Sequence, residues 1–372
     1  MYIQTDREKF LQHLELVSRI SMRHQTLPVL QCVLFDAGNT EEKTKKELVL
    51  RATNLEISIE TRLLSDVTEG GVVAVPAGPL AQTIQLLHDK LVTLKTDKEM
   101  LVVETGKSHT TIKTLPCDEF PLIPQLTGTA QKLNNSLFAL GIKTAAFATS
   151  QSSIKPELGS VLIQQQKEQT LTFVATDSFR LIEKVVPQQG MILDGSLLVP
   201  VKNALELARI SDVLQEDPEM VVSENQLALR FPSGVYVTTR LTEASFPDYQ
   251  QIIPKEFVTT VTVLRGDLIH ALKKTNIFSN TFLQVHVQVN PKENTITLAS
   301  DNGELGKTEE TLSATVEGEE LSLSFNQRYL TDPLMSFVDD SVVLRFAGVG
   351  RPMVMEGVSD KSLRYLVMPM NR

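Results

Sequence analysis

Tryptophan is absent from this 372-residue chain, and aromatic residues make up only 5% of it. Proteins that grip single-stranded nucleic acid stack bases on aromatic side chains, so this chain is poorly equipped for that role. Only two cysteines occur, Cys32 and Cys117, far apart in sequence. They are too few for a disulfide framework or a cysteine-rich zinc site, and a reducing cytoplasmic setting is expected. The histidines His13, His24, His88, His109, His270 and His286 are scattered. No two share the i, i+3 or i+4 spacing that puts a pair of ligands on one helix face, so no metal and no cofactor is expected. No apolar run approaches the roughly 18 residues of a membrane span. The segment Met1 to Asp6 lacks the basic region and apolar core of a signal peptide.

Positive charge is also scarce. A net charge of −9 argues at first against nucleic acid, whose phosphates favour basic partners. The field at a surface depends on where charges lie, however, not on their sum. Acidic residues crowd loop-like stretches such as Glu216 to Glu219 and Glu317 to Glu320. The helix-like segment Asn135 to Ser152 carries only Lys143, and Leu264 to Asn280 carries Arg265, Lys273 and Lys274 against Asp267. Either an acidic shell around less acidic helices or ordinary solvated faces produces such a pattern.

Catalytic signatures are missing as well. Gly106-Lys107-Ser108 and Gly306-Lys307-Thr308 resemble the end of a phosphate-binding loop. The earlier glycine that such a loop requires is replaced by Leu101 and Asp301, which leaves hairpin turns as the reading. Gly348-Val349-Gly350 lacks the third glycine of a dinucleotide site, Met353 standing in its place. Asp177 beside Arg180 reads as a turn-forming residue after a strand rather than a general acid or base. No enzymatic activity is expected.

What the chain does have is a long repeat. Ala52-Thr53-Asn54, Ala175-Thr176-Asp177 and Ala299-Ser300-Asp301 each end a β-rich run. They stand roughly 123 and 124 residues apart, a step the size of a domain and too long for a solenoid. Val73 to Pro76, Leu197 to Pro200 and Leu321 to Ser324 keep the same step, each followed by a helix-like segment. Every copy opens with a helix pattern: Phe10, Leu14 and Val17 on one face after Asp6, then a start near Asn135-Ser136, then one near Asp267 with Leu268 and Leu272 a turn apart. Strand patterns follow, including Leu48 to Ile59 and Phe282 to Val289. Second helices are expected over Leu80 to Leu87, Asn203 to Ile210 and Gln327 to Phe337. Closing strands are expected over Val235 to Thr239 and Leu363 to Val367. Asn39 to Glu47 reads as an exposed hairpin loop. The fold class is α+β, with three repeated domains of two helices and antiparallel sheet over 1-125, 130-254 and 256-372.

Five local motifs sit on this repeat in order. They are Thr26-Leu27-Pro28-Val29-Leu30, Ala175 to Leu181 (ATDSFRL), Phe246-Pro247-Asp248-Tyr249, Phe325 to Leu330 (FNQRYL) and Tyr365 to Met370 (YLVMPM). Together they resemble the bacterial DNA polymerase III beta subunit family, the sliding clamps, over essentially the whole chain. The resemblance implies a DNA clamp fold that closes head to tail as a dimeric ring around duplex DNA. It implies a processivity factor that binds DNA without sequence preference and tethers the replicative polymerase, the clamp loader and other proteins carrying a clamp-binding motif. A repeat-built interaction scaffold that encloses no DNA is the alternative.

The resemblance also implies sites. A partner-peptide pocket would use Leu158, Thr176, Phe179, Arg180, Leu181, Pro247 and Ile252, together with Asn326, Tyr329, Met353, Leu366, Val367, Met368, Pro369 and Met370. Arg180 would offer the peptide a polar contact. DNA would meet Arg23, His24, Gln151, Ser152, Lys155 and Lys202. Ile112, Ile277 and Phe278 would lie at the subunit interface. The chain departs from the family pattern where Phe179 replaces the usual His, at Asn371 after the terminal Met, and at Gly78-Pro79 and His24, where basic residues are common.

Overall fold

The threefold repeat of sequence returns as a threefold repeat of strand order. In the computed structural model, Ile57–Leu64, Glu47–Thr53, Cys32–Asp36 and Val72–Pro76 lie side by side in that order. Arg180–Pro187, Thr170–Thr176, Ser160–Gln164 and Ser196–Pro200 repeat it, as do Gly306–Ser313, Thr295–Asn302, Gln284–Asn290 and Leu321–Asn326. All of these pairings are antiparallel. The last strand of each set is a sheet edge, where the Pro that ends two of them, Pro76 and Pro200, removes no ladder hydrogen bond that a neighbour needs. The structure describes residues 1–21, 27–38, 47–152 and 154–370. Arg23, His24, Thr26, most of the expected loop (Asn39 to Lys46), Asn371 and Arg372 lie outside the described residues.

Contacts gather the chain into two compact units. One comprises Met1–Ser136 and Arg209–Leu241, the other Leu137–Ala208 and Thr242–Arg372. The first holds a five-stranded and an eight-stranded sheet, the second a nine-stranded and a four-stranded sheet. In Thr170–Thr176 every residue after the first is buried. In Gln284–Asn290, by contrast, Val285, Val287 and Val289 are buried while His286 and Gln288 face out, the alternation of a sheet with one wet face.

The helices are α1 (Arg7–Ser18), α2 (Ala77–Leu86), α3 (Asn135–Ala146), α4 (Val201–Leu214), α5 (Arg265–Ile277) and α6 (Gln327–Thr331). Asp6 caps α1 as expected, accepting from the N–H groups of Glu8 and Lys9 at 3.0 Å each, and Phe10, Leu14 and Val17 are buried. Three expectations need correction. Leu48 to Ile59 is not one strand but the two arms of a hairpin, because Leu55 adopts φ +77° and the Asn54 side chain accepts from Glu56 and Ile57. α5 starts at Arg265, two residues early, which places Asp267 in its first turn beside the positive end of the helix dipole. Gln327 to Phe337 is α-helical only to Thr331, then 3-10 over Asp332–Ser336, where Pro333 supplies no N–H.

Among the described residues, no helix is long and apolar enough to cross a membrane. Cys32 and Cys117 are both free, and burial pushes the Cys32 thiol up to about 12.

Candidate functional site

The Ala175 to Leu181 motif forms a hairpin tip that side chains hold shut. Asp177 Oδ1 accepts from the N–H groups of Phe179 and Arg180 at 3.0 Å each. Thr176 Oγ1 accepts from Ser178 N–H at 3.2 Å and donates to the Arg180 carbonyl at 2.7 Å. Ser178 takes φ +79°, a left-handed conformation that such a tight tip requires. The result lifts the Phe179 side chain into solvent, with 60% of the residue exposed.

Beside this hairpin runs the C-terminal strand Leu363–Val367, with Val367 opposite Arg180 and Leu366 opposite Leu181. The chain stays bound after the strand ends. Met368 N–H donates to the Phe179 carbonyl and Met370 N–H to the Ser324 carbonyl, both at 2.8 Å. These two bonds hold residues 368–370 against the hairpin tip and the strand Leu321–Asn326.

Hairpin and tail enclose an apolar groove of about 370 Å³. Its floor is Leu181, Leu366 and Val367, all buried, and its rim carries the exposed Phe179, Ile252 and Met368. The Phe246 to Tyr249 motif pins the segment that brings in Ile252. Tyr249 is buried in the cluster with Leu181 and Leu366, and its hydroxyl donates to Glu183 Oε2 at 2.6 Å. Burial and then the hydrogen bond to Glu183 raise the Tyr249 pKa, so the phenol remains a donor.

Arg180 is used inside the chain. Its Nε donates to Asp177 Oδ2 at 3.0 Å, Nη1 to Asp332 Oδ2 at 2.6 Å and Nη2 to the Phe147 carbonyl at 2.8 Å. The guanidinium also stacks 4.5 Å from the centre of the Tyr329 ring. Burial opposes its charge, but the bonds and charges of Asp332 and Asp177 prevail and raise its pKa. Arg180 therefore clips the hairpin tip to the α6 region while also lining the groove.

Of the fifteen expected pocket residues, Thr176, Phe179, Arg180, Leu181, Ile252, Leu366, Val367 and Met368 come together around the groove. The others lie apart from its lining. Leu158 and Met353 are buried. Asn326 caps α6 through Arg328 N–H. Pro247 is exposed, and Pro369 and Met370 continue along the tail. Tyr329 belongs to a neighbouring cavity. Sequence reasoning missed Ser178 and Pro352, which line the groove, and Asp332 and Phe147, which hold Arg180. Pro352 adjoins the expected Met353. Nothing in the sequence ties Asp332 to Arg180.

Gln151, Ser152 and Lys155 are exposed on the loop after α3, and Lys202 is exposed in the first turn of α4. In the six helices nine basic residues face five acidic ones, whereas the whole chain has 36 against 45. Ile112 is buried within its own sheet, on the edge strand His109–Lys113. Gly306–Ser313 is likewise an edge strand, flanked by the exposed Ile277 and the half-buried Phe278 of the α5 end.

Family models of the N-terminal, central and C-terminal domains of the DNA polymerase III beta subunit match residues 1–124, 132–248 and 250–371. The chain belongs to the DNA polymerase III beta subunit family. The beta sliding clamp of Pseudomonas putida is 30% identical to it over 100% of both chains. The crystal structure of the DNA polymerase III subunit beta from Pseudomonas aeruginosa aligns with a TM-score of 0.92 at 27% identity, covering 100% of each chain. Another structure of the Pseudomonas aeruginosa sliding clamp, bound to griselimycin, aligns with a TM-score of 0.91 at 26% identity over 100% of both. The three-domain clamp fold of these beta subunits is the fold of this chain.

Proposed function

We propose that this chain is the processivity factor of a replicative DNA polymerase, a sliding clamp without catalytic activity of its own. The observation that carries this reading is the succession of three beta-subunit domains, in order, over residues 1–124, 132–248 and 250–371. On this reading the domains are 1-125, 130-254 and 256-372, and two chains join head to tail into a ring around duplex DNA. The edge strands His109–Lys113 and Gly306–Ser313 suit that join, since each offers an unpaired row of backbone groups. His109 and Lys113 on one would meet Glu309 and Glu310 on the other, with Ile277 and Phe278 alongside. A head-to-tail contact of this kind closes a ring when its rotation permits.

Duplex DNA is held by enclosure and by phosphate contacts, so no base sequence is read. The basic excess in the helices supports this, with Gln151, Ser152, Lys155 and Lys202 as contacts and Arg23 and His24 proposed beside them. The groove between the Thr176 to Leu181 hairpin and the C-terminal tail takes an apolar segment of the polymerase, the clamp loader or another partner, and the griselimycin-bound relative supports a ligand-accepting clamp surface. The setting is the cytoplasm.

The test is retention on circular duplex DNA at high salt. The clamp reading expects the protein to stay on closed circles and to be lost once they are linearised. Equal loss from circular and linear DNA overturns enclosure. Replacing Ile277 and Phe278 by Ala should raise the dimer dissociation constant in ultracentrifugation, each anchor contributing about 1 kcal/mol or more.

A further inference from the structure

The segment that brings Ile252 to the groove is fastened by its backbone only at its two ends. Thr242 N–H donates to the Leu198 carbonyl and Val258 N–H to the Phe346 carbonyl, both at 2.8 Å. Among the described residues, no backbone hydrogen bond ties residues 245–257 to the sheet. Side chains hold the segment in between. Phe246, Ile253 and Phe257 pack on the apolar cluster that includes Leu181 and Leu366, and Tyr249 is buried within it. Apolar contacts of this kind have no direction, so they do not fix a position along the sheet. The Tyr249 hydroxyl does have direction, and its full hydrogen-bonding capacity is used. It donates to Glu183 Oε2 at 2.6 Å and accepts from Gln166 Nε2 at 2.6 Å and Gln164 Nε2 at 3.3 Å. Glu183 is held in turn, since its Oε1 accepts from Arg364 Nη1 at 3.4 Å while Arg364 Nε donates to Glu356 Oε1 at 3.0 Å.

We propose that the Tyr249–Glu183 hydrogen bond is the positioning element of the groove, setting where the Ile252 wall stands over the Leu181 and Leu366 floor. The inference rests on the groove reading given above. Tyr249 and Ile252 begin and end a single 3-10 turn, in which side chains three residues apart share a face. One end of the turn is thus a fixed point and the other a wall. Leu181 and Leu366 touch both ends, because they belong to the Tyr249 cluster and also line the groove with Ile252. Tyr249 itself is buried and meets no partner segment, so it acts through Ile252.

A labelled core peptide, Gln followed by spaced Leu and Phe residues, tests this by fluorescence anisotropy with the full chain. Tyr249→Phe keeps the ring and removes the hydroxyl. It should weaken the core peptide about three- to tenfold, the scale of coupling through one packed neighbour. Glu183→Ala should match that loss. Glu183→Gln, whose amide oxygen still accepts from the phenol, should keep most of the affinity. Ile252→Ala should weaken the peptide by itself. In that background Tyr249→Phe should add less than about twofold, because the wall it positions is gone. Undiminished binding by Tyr249→Phe overturns the proposal. So does an equal loss from Tyr249→Phe with and without Ile252→Ala, which leaves Tyr249 a merely structural role. A Glu183→Gln chain as weak as Glu183→Ala also overturns it, since the charge and not the hydrogen bond would then matter. If the core peptide fails to bind the unaltered chain, or binds equally after deletion of Met368 to Arg372, the groove reading falls and this inference falls with it. Loss on that deletion with none from Tyr249→Phe overturns the positioning role alone.

Discussion

The same joint is built twice among the described residues, and the second copy makes an apolar groove. In the first copy Thr53, Asn54 and Leu55 close a hairpin tip, with Leu55 at φ +77° and the Asn54 side chain accepting from two N–H groups. In the second, Thr176, Asp177 and Ser178 do so, with Ser178 at φ +79°. Each tip is joined by a later strand in the same register, Ile57 opposite Thr239 and Arg180 opposite Val367. Each is then closed by one backbone bond of 2.8 Å, Arg240 N–H to the Glu56 carbonyl and Met368 N–H to the Phe179 carbonyl.

What differs is chemistry at equivalent places. Ser58, Thr238 and Thr239 stand in the first joint where Leu181, Leu366 and Val367 stand in the second. Two of the hydroxyls engage their own surroundings, Ser58 with Thr53 at 2.7 Å and Thr239 with the Arg240 carbonyl at 3.1 Å, while the buried Thr238 hydroxyl finds no hydrogen-bond partner among the described residues. The leucines and valine have no such use and form an apolar floor. Backbone geometry alone therefore does not make the groove apolar. Three side chains on a shared frame do, together with a tail that continues past Met368.

The largest effect is expected from removing that tail. Deleting Met368 to Arg372 should weaken a core peptide roughly a hundredfold, since a rim contact worth about 1–2 kcal/mol is lost together with the backbone bonds of Met368 and Met370 that hold the groove wall. Dimer mass, measured in parallel, should stay unchanged. Next comes the clip that the first joint lacks, where Ile57 replaces the arginine. Arg180→Ala should lower unfolding stability in urea by about 3 kcal/mol, because Asp332 loses its partner in a largely buried pair. An effect on peptide affinity with stability intact would show instead that Arg180 touches the peptide.

Leu366→Thr imports the first joint's floor into the second. About 2 kcal/mol of stability and roughly tenfold in peptide affinity should be lost, as for other deletions of buried methyl groups. Phe179→Ala removes an exposed ring and should reduce peptide affinity about fivefold with a melting temperature within a degree or two, on the scale of a rim aromatic. The smallest change belongs to the first joint. Leu55→Ala should alter neither peptide affinity nor stability by more than about 0.5 kcal/mol. A measurable loss of peptide binding there would mean that both joints bind.

The repeat and its period, the one-sided strand Gln284–Asn290 and the Asp6 cap of α1 were legible from residues alone, because periodicity and capping act over a few neighbours. The hairpin within Leu48 to Ile59 was not, because a single left-handed Leu55 leaves no compositional mark. Long-range partnership was equally hidden. Arg180 meets Asp332 and the Phe147 carbonyl only after strands distant in sequence have aligned. Leu158 and Met353 carry the residue types of a groove wall, yet neither is among the residues that line it. Sequence determines which residues want cover and which close a tip, because those preferences are local. Only the tertiary structure decides which side chains share a wall, because that depends on the register of strands brought together from far along the chain.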